Sequence, residues 1–197
     1  MLTRETSSFR ILVAFFAVFL AVAGCSPKVE EPEVEVVADG MKLVSDVSNS
    51  VSMQVPSGWT SSDFDSARSF SPGEDFEGSV DLLVFGGIQS DSPAEALALL
   101  TSEAEDDPDV ELVGEIEDGT TTHGYQWALQ KVNDSAEPAS EVTMYLISDE
   151  QHEGHNHPPQ MAVVTVSLPL ESADSDEAQE FHQAVTEAVM SIKFSGH

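Results

Sequence analysis

Short segments in which apolar and polar residues alternate follow one another along most of the chain, and this period of two predicts β-strands. The predicted strands begin at Val51, Ala67, Val80, Val110, Tyr125, Val142 and Ala162. Asp118-Gly119 is a turn dipeptide and predicts a hairpin between the strands that begin at Val110 and Tyr125.

Two segments change to helical spacing. Ser92-Pro93-Ala94-Glu95 combines an N-cap serine, a proline at the first helical position and a glutamate at the third. The apolar face predicted for this helix is Ala96, Leu97, Leu99, Leu100 and Ala104. The face predicted for the last helix is Ala178, Phe181, Ala184, Val185, Ala188, Val189 and Ile192. Strands with an early and a C-terminal helix indicate an α+β fold, a mainly antiparallel sheet with helices on one face or end.

An apolar run from Ile11 to Ala23 follows two basic residues, Arg4 and Arg10. It is shorter than the about 20 residues that span a membrane and is typical of a secretory signal. The segment Val22-Ala23-Gly24-Cys25 resembles the bacterial lipobox, and this resemblance implies that Cys25 is lipidated and becomes the mature N-terminus. The alternative is an ordinary secreted protein. The only cysteine is Cys25, so the chain forms no internal disulfide.

The sequence therefore predicts three parts: a lipoprotein signal peptide at 1–24, the lipidated Cys25 with a flexible acidic tether at 25–46, and one domain at 47–197. Prolines, acids and the lack of aromatic residues favour the tether. More than one acyl chain makes membrane anchoring stable. By resemblance to known sorting systems, Ser26 after the cysteine favours the outer membrane, with the domain facing the periplasm.

The chain has 36 acidic and 7 basic residues. One acid and two bases lie in the signal, so the mature part has 35 acids and 5 bases, a net charge of −30. This imbalance argues against nucleic acid and against adhesion to anionic lipid. It fits either a surface that binds cations or a basic partner, or a solvated surface adapted to salt. The even spread of acids favours the solvated surface.

The segment Val51-Ser52-Met53-Gln54-Val55-Pro56-Ser57-Gly58-Trp59, together with a C-terminal helix that runs into Ser191-Ile192-Lys193-Phe194, resembles the PsbP-like superfamily. The resemblance covers about residues 45–195. It implies an antiparallel sheet flanked by helices and a binding or assembly role, without catalytic residues.

One loop carries candidate metal ligands. His152, His155 and His157 fall within six residues, and imidazoles of this kind suit zinc or copper. The alternative is a solvated hairpin loop that binds no metal. A phosphate loop, a dinucleotide fingerprint and a nucleophile elbow are all missing from the sequence, and we expect no enzyme activity and no obligatory cofactor.

Two hypotheses remain from the sequence. The first is a lipid-anchored, non-enzymatic module that binds or assembles with a protein partner in the bacterial envelope. The second is a lipoprotein that captures zinc or copper with His152, His155 and His157.

Overall fold

The computed structural model describes residues 37–64, 66–73, 76–86, 90, 92–102, 107–136, 138–149 and 160–195. The elements of the first half are β1 (Met41–Ser45), β2 (Val51–Pro56), β3 (Thr60–Phe64), β4 (Ala67–Ser71), β5 (Ser79–Gly86) and α1 (Pro93–Ser102). Those of the second half are β6 (Val110–Thr120), β7 (Gln126–Asp134), β8 (Ser140–Ser148), β9 (Gln160–Pro169), a 3-10 turn (Leu170–Ser172), α2 (Asp176–Met190) and β10 (Lys193–Phe194).

The strands form two antiparallel sheets. The small sheet has the order β1-β2-β10, and the large sheet has the order β3-β4-β5-β9-β8-β7-β6. β9 and β8 lie in the middle of the large sheet, and nearly every residue of each is buried. Strands buried on both faces need apolar side chains at successive positions, which explains the run Met161-Ala162-Val163-Val164.

The large sheet has a hydrophobic core on each side. The larger core lies under α2 and the small sheet and includes Tyr145, Ile147, Val164 and Val166. The smaller core lies under α1 and includes Val142, Met144 and Leu146. Alternate residues of one strand therefore serve opposite cores. We call these two sides the α2 face and the α1 face of the large sheet.

Both helices begin at a serine cap. The backbone N–H of Glu95 donates to Ser92 Oγ, and that of Ala178 donates to Ser175 Oγ, each at 3.1 Å. The α+β fold class is confirmed, although the two helices pack on opposite faces and not on one face or end. In α1, Ala96 and Leu97 are buried as predicted, whereas Leu99 is 61% exposed.

Aromatic residues fix α2 to the segments that connect the strands. Phe181 lies 5.3 Å from Trp59 and 4.7 Å from Phe76, measured between ring centroids. Trp59 is 7% exposed and anchors the turn after β2 to the core. Within the described ranges, no helix is long and apolar enough to cross a membrane.

Three features differ from the sequence prediction. β1 falls inside the segment assigned to the tether and pairs fully with β2, so the sheet begins before residue 47. β3 was not predicted, because its five residues are all exposed and show no alternation of burial. The prediction of a turn at Asp118-Gly119 is wrong, because β6 continues to Thr120. The turn follows it, and there the carbonyl oxygen of Thr121 accepts a hydrogen bond from Gly124 N at 3.0 Å.

Candidate functional site

The residues that the sequence singles out as sites are not in the described part of the chain. Cys25 and the histidines 152, 155 and 157 lie outside the described residues. The described stem of the histidine loop is held by Asp149 and Gln160, because Gln160 N donates to Asp149 Oδ1 at 2.8 Å. Within the described ranges, no three His, Cys, Asp or Glu side chains come together to hold a metal ion.

A different site emerges at one side of the large sheet, on the α2 face of β6 and β7. Trp127 and Leu129 pack at the margin of the larger core, which places the odd-numbered residues of β7 on the α2 face. Directly opposite residues of paired strands share a face. We call this surface the β6–β7 strip, and its residues, in cross-strand pairs, are Glu111 and Asn133, Val113 and Lys131, Glu117 and Leu129, and Gly119 and Trp127.

The helix that covers the centre of this face meets the β6–β7 hairpin at its C-terminal end. α2 packs on β2 and β9 and makes polar contacts with β8, and the carbonyl oxygen of its last residue, Met190, accepts hydrogen bonds from Thr122 N and Thr122 Oγ1 in the turn between β6 and β7. Beyond β8, Trp127, Leu129 and Lys131 are half-buried, and Glu111 and Glu117 are exposed. Val113 is 36% exposed. The strip is therefore an open apolar surface with an acidic margin.

A bulge in the edge strand shapes the strip. The pairing shifts between Val113 and Glu117, so residues 114–116 lie opposite Gln130 alone. Gly114 has a φ of +75°, a left-handed conformation that glycine adopts without strain. The buried amide of Gln130 donates from Nε2 to Val113 O at 3.0 Å and so supports the distorted backbone. Such bulges bend a strand and redirect its side chains.

The indole of Trp127 packs closely against Gly119. A Cβ atom at Gly119 would sit 2.8 Å from Trp127 Cζ2 and 3.0 Å from both Cε2 and Nε1. Only glycine leaves room for the ring here, and an aromatic side chain across from a strand glycine compensates for the missing side chain. The indole N–H is buried and has no hydrogen-bond partner, so the ring is positioned by packing.

Tyr145 joins the strip to α2. Its ring centroid is 6.5 Å from that of Trp127, and its hydroxyl lies 3.3 Å from Thr186 Oγ1. Burial raises the pKa of Tyr145, the hydrogen bond with Thr186 opposes this rise, and the charge of Glu117 adds to it. The register places Glu117 directly opposite Leu129 and therefore on the α2 face with Trp127.

An ionic cluster closes the other end of the strip. Glu141 Oε1 lies 3.1 Å from His182 Nε2 and 3.7 Å from Lys131 Nζ. The hydrogen bond with His182 lowers the pKa of Glu141, burial raises it, and the charge of Lys131 lowers it. His182 thus links α2 to β8. The cluster positions side chains and offers no nucleophile.

Sequence reasoning did not find the strip. Trp127 and Leu129 fall in a predicted strand, but their position beside the exposed Val113 depends on the pairing of β6 with β7. Glu117 gave no signal, because one acid among 36 in an acidic chain is not distinctive. The dipeptide Asp118-Gly119, next to Glu117, predicts a turn. Only the fit of the Trp127 indole explains why a glycine lies within β6.

Comparison with known proteins adds little to this picture. No family model matches the sequence, and no curated protein matches it. Among solved structures, the chain is similar to the solution structure of cyanobacterial PsbP (CyanoP) from Synechocystis sp. PCC 6803. The identity is 13%, the match covers 84% of this chain and 98% of the other, and the TM-score is 0.49. A likeness at this level carries no functional argument, and function must be argued from the residues of this chain.

Proposed function

We propose that this protein is a lipid-anchored, non-enzymatic module of the bacterial envelope that binds a protein partner through the β6–β7 strip. The observation that carries the proposal is the open strip itself. Val113, Trp127 and Leu129 form an apolar surface on a sheet face that α2 otherwise covers. Exposed apolar surface with a polar margin is typical of interaction sites.

The anchor is proposed from the sequence. The basic start, the short apolar run and Val22-Ala23-Gly24-Cys25 support lipidation of Cys25. The lipid holds the protein to the membrane, and Ser26 favours the outer membrane with the domain in the periplasm. An anchored domain meets envelope partners at high effective concentration, so even a small interface suffices.

The anchor is tested by metabolic labelling with an alkyne analogue of palmitate. We expect the full-length chain to take up the label and to fractionate with the outer membrane. Cys25→Ser is expected to lose the label and to remain uncleaved. Labelling of Cys25→Ser at the level of the natural chain would contradict the anchor.

The binding role is tested by photo-cross-linking in living cells. A photoreactive phenylalanine analogue replaces Val113 in the strip or, as the control, Leu99, which is exposed on α1 at the opposite face of the sheet. We expect one defined cross-linked protein from position 113 and none from position 99. The addition of Trp127→Ala is expected to remove the cross-link. Identical patterns from both positions, or none from position 113, would contradict the proposal.

A further inference from the structure

In the part of the chain that the structure describes, no basic side chain forms an ion pair with the acids of β6. β6 carries Glu111, Glu115, Glu117 and Asp118, all exposed, and no basic residue. The ion pairs formed among the described residues are made by Asp63 with Arg68 and by Glu141 with Lys131 and His182. None of these pairs involves an acid of β6.

The single basic residue of the strip is already engaged. Lys131 Nζ lies 3.7 Å from Glu141 Oε1 on β8. Glu111 and Glu117 therefore have no ion-pair partner among the described residues. Because Glu117 lies diagonally across from Trp127, its carboxylate lies on the same face as the indole.

We propose that the β6–β7 strip binds a basic segment of its partner, with an arginine or lysine side chain over Trp127 and its charge beside Glu117. The inference rests on the proposed function and names the chemistry of the partner. An aromatic face attracts a cation through its quadrupole, and a neighbouring carboxylate adds direct charge attraction. The apolar stem of arginine or lysine also fits the surface of Val113 and Leu129.

Charge distinguishes a basic protein segment from the other candidate occupants of the strip. A second copy of the chain has a formal net charge of −29 and would bring the same unpaired acids against the strip. Nucleic acid and anionic lipid would be repelled in the same way. A basic protein segment is the one class in this set that gains from both the acids and the indole.

The test uses the full-length chain in a non-ionic detergent and two capped peptides. The first peptide alternates arginine with serine, and the second replaces arginine with citrulline, which has the same shape without the charge. Binding is followed at physiological salt by the NMR signal of the Trp127 indole N–H, identified with Trp127→Phe. The other tryptophan, Trp59, is buried and serves as the internal reference for folding.

We expect the arginine peptide to shift the Trp127 signal and the citrulline peptide to leave it unchanged. The double variant Glu111→Gln with Glu117→Gln is expected to weaken binding about tenfold, because it removes the charges that face the ligand. The control double variant Glu171→Gln with Glu180→Gln removes the same net charge from exposed positions outside the strip. We expect it to weaken binding less than about twofold, since salt screens distant charges.

Three results would overturn the inference. These are equal binding of both peptides, equal weakening by both double variants, and self-association of the chain that the Glu111 and Glu117 variant leaves intact. If the arginine peptide fails to bind while position 113 still cross-links to one partner, the basic partner is excluded and the proposed function stands. If position 113 yields no cross-link, the proposed function itself fails.

Discussion

At the scale of single residues, the clearest departure from ordinary chemistry is a carboxyl group inside the large sheet. Asp81 on β5 lies opposite Ser69 on β4 and Thr165 on β9, on the α1 face. Ser69 Oγ donates a hydrogen bond to Asp81 Oδ1. Burial raises the pKa of Asp81, and the hydrogen bond from Ser69 only partly opposes the rise. Folding therefore favours the protonated acid.

The pH dependence of the stability follows from the linkage between proton binding and folding. A carboxyl group whose folded pKa is raised stabilises the fold at low pH, and this contribution is lost as pH rises through the folded pKa. The charged form is the one that this poorly solvated position disfavours. Asp81→Asn keeps a hydrogen-bond acceptor without the charge, so we expect it to raise the free energy of unfolding at pH 7 by about 1 kcal/mol.

This prediction is checked by urea unfolding at pH 7 and again well below the usual aspartate pKa of about 3.9. At the lower pH, Asp81→Asn should no longer have a higher free energy of unfolding than the natural chain. Asp118→Asn, at an exposed position of β6, is the matched control and should change little. A variant at Asp81 that is less stable than the natural chain at pH 7 would contradict this assignment.

The carboxyl of Glu141 behaves in the opposite way. Its hydrogen bond with His182 lowers its pKa, so its contribution to stability is present above the unfolded pKa and is lost as pH falls through the folded pKa. We expect His182→Ala to raise the pKa of Glu141 and to cost about 1 kcal/mol at pH 7. Carbon-13 NMR titration of the carboxyl measures the first effect, and urea unfolding measures the second.

His182→Gln separates the hydrogen bond from simple packing. Its side-chain amide retains an N–H donor at the same position, so it should restore part of the lowered pKa. If alanine and glutamine give the same pKa for Glu141, then His182 does not act through this hydrogen bond.

At the scale of secondary structure elements, the pairing of β6 with β7 depends on one small residue. Gly119→Ala would place a Cβ atom 2.8 Å from Trp127 Cζ2, so the indole must move. Forced movement in a packed site costs about 1–3 kcal/mol. We expect this loss in urea unfolding, together with a changed Trp127 indole signal and a weaker cross-link from position 113.

Gly58→Ala provides the control for this substitution. A Cβ atom at Gly58 would meet no atom within 4 Å. We expect its stability to stay close to that of the natural chain. Equal losses at positions 58 and 119 would show that the contact between Trp127 and Gly119 does not hold the strip in place.

The elements also show how far the sequence predicts this fold. The alternation of apolar and polar residues in the sequence identifies β8 and β9, and the cap at Ser92 identifies the start of α1, because these signals are local. β3 gives no such signal, since Thr60–Phe64 is exposed at every position and is held by pairing with β4. Whether β3 forms therefore depends on its pairing with β4.

The candidate site could not be predicted for a related reason. Which residues of β6 share a face with Trp127 depends on the shift in pairing at residues 114–116. A change of one residue in register moves every side chain to the opposite face. That shift is supported by the side chain of Gln130, and nothing in the sequence pattern reveals this contact. The lipidation of Cys25 and a metal site at His152, His155 and His157 stay predictions.

At the scale of the whole molecule, electrostatic repulsion works against the fold. The formal net charge is −29 over 197 residues. Like charges repel more strongly when the chain is compact, and salt screens this repulsion over a Debye length of about 8–10 Å at physiological ionic strength. We expect the melting temperature to rise by several degrees between about 0.01 M and about 0.5 M sodium chloride.

Calorimetry or circular dichroism measures this shift. Potassium chloride at the same ionic strength should give the same rise, because screening does not depend on which monovalent cation is present. A melting temperature that does not change with salt would show that the acids are spread widely enough to avoid repulsion.

The position of β9 has a consequence for how the chain is made. β9 is the last long strand in the sequence, yet it lies between β5 and β8 at the centre of the large sheet. A ribosome must release almost the entire polypeptide before β3–β5 and β6–β8 can join, and α2 emerges later still. Such non-local closure is slow. We expect the nascent chain to stay loosely folded throughout translation. For a chain exported as we propose, this is the state that a secretory channel threads, and the large sheet closes only after the chain has crossed.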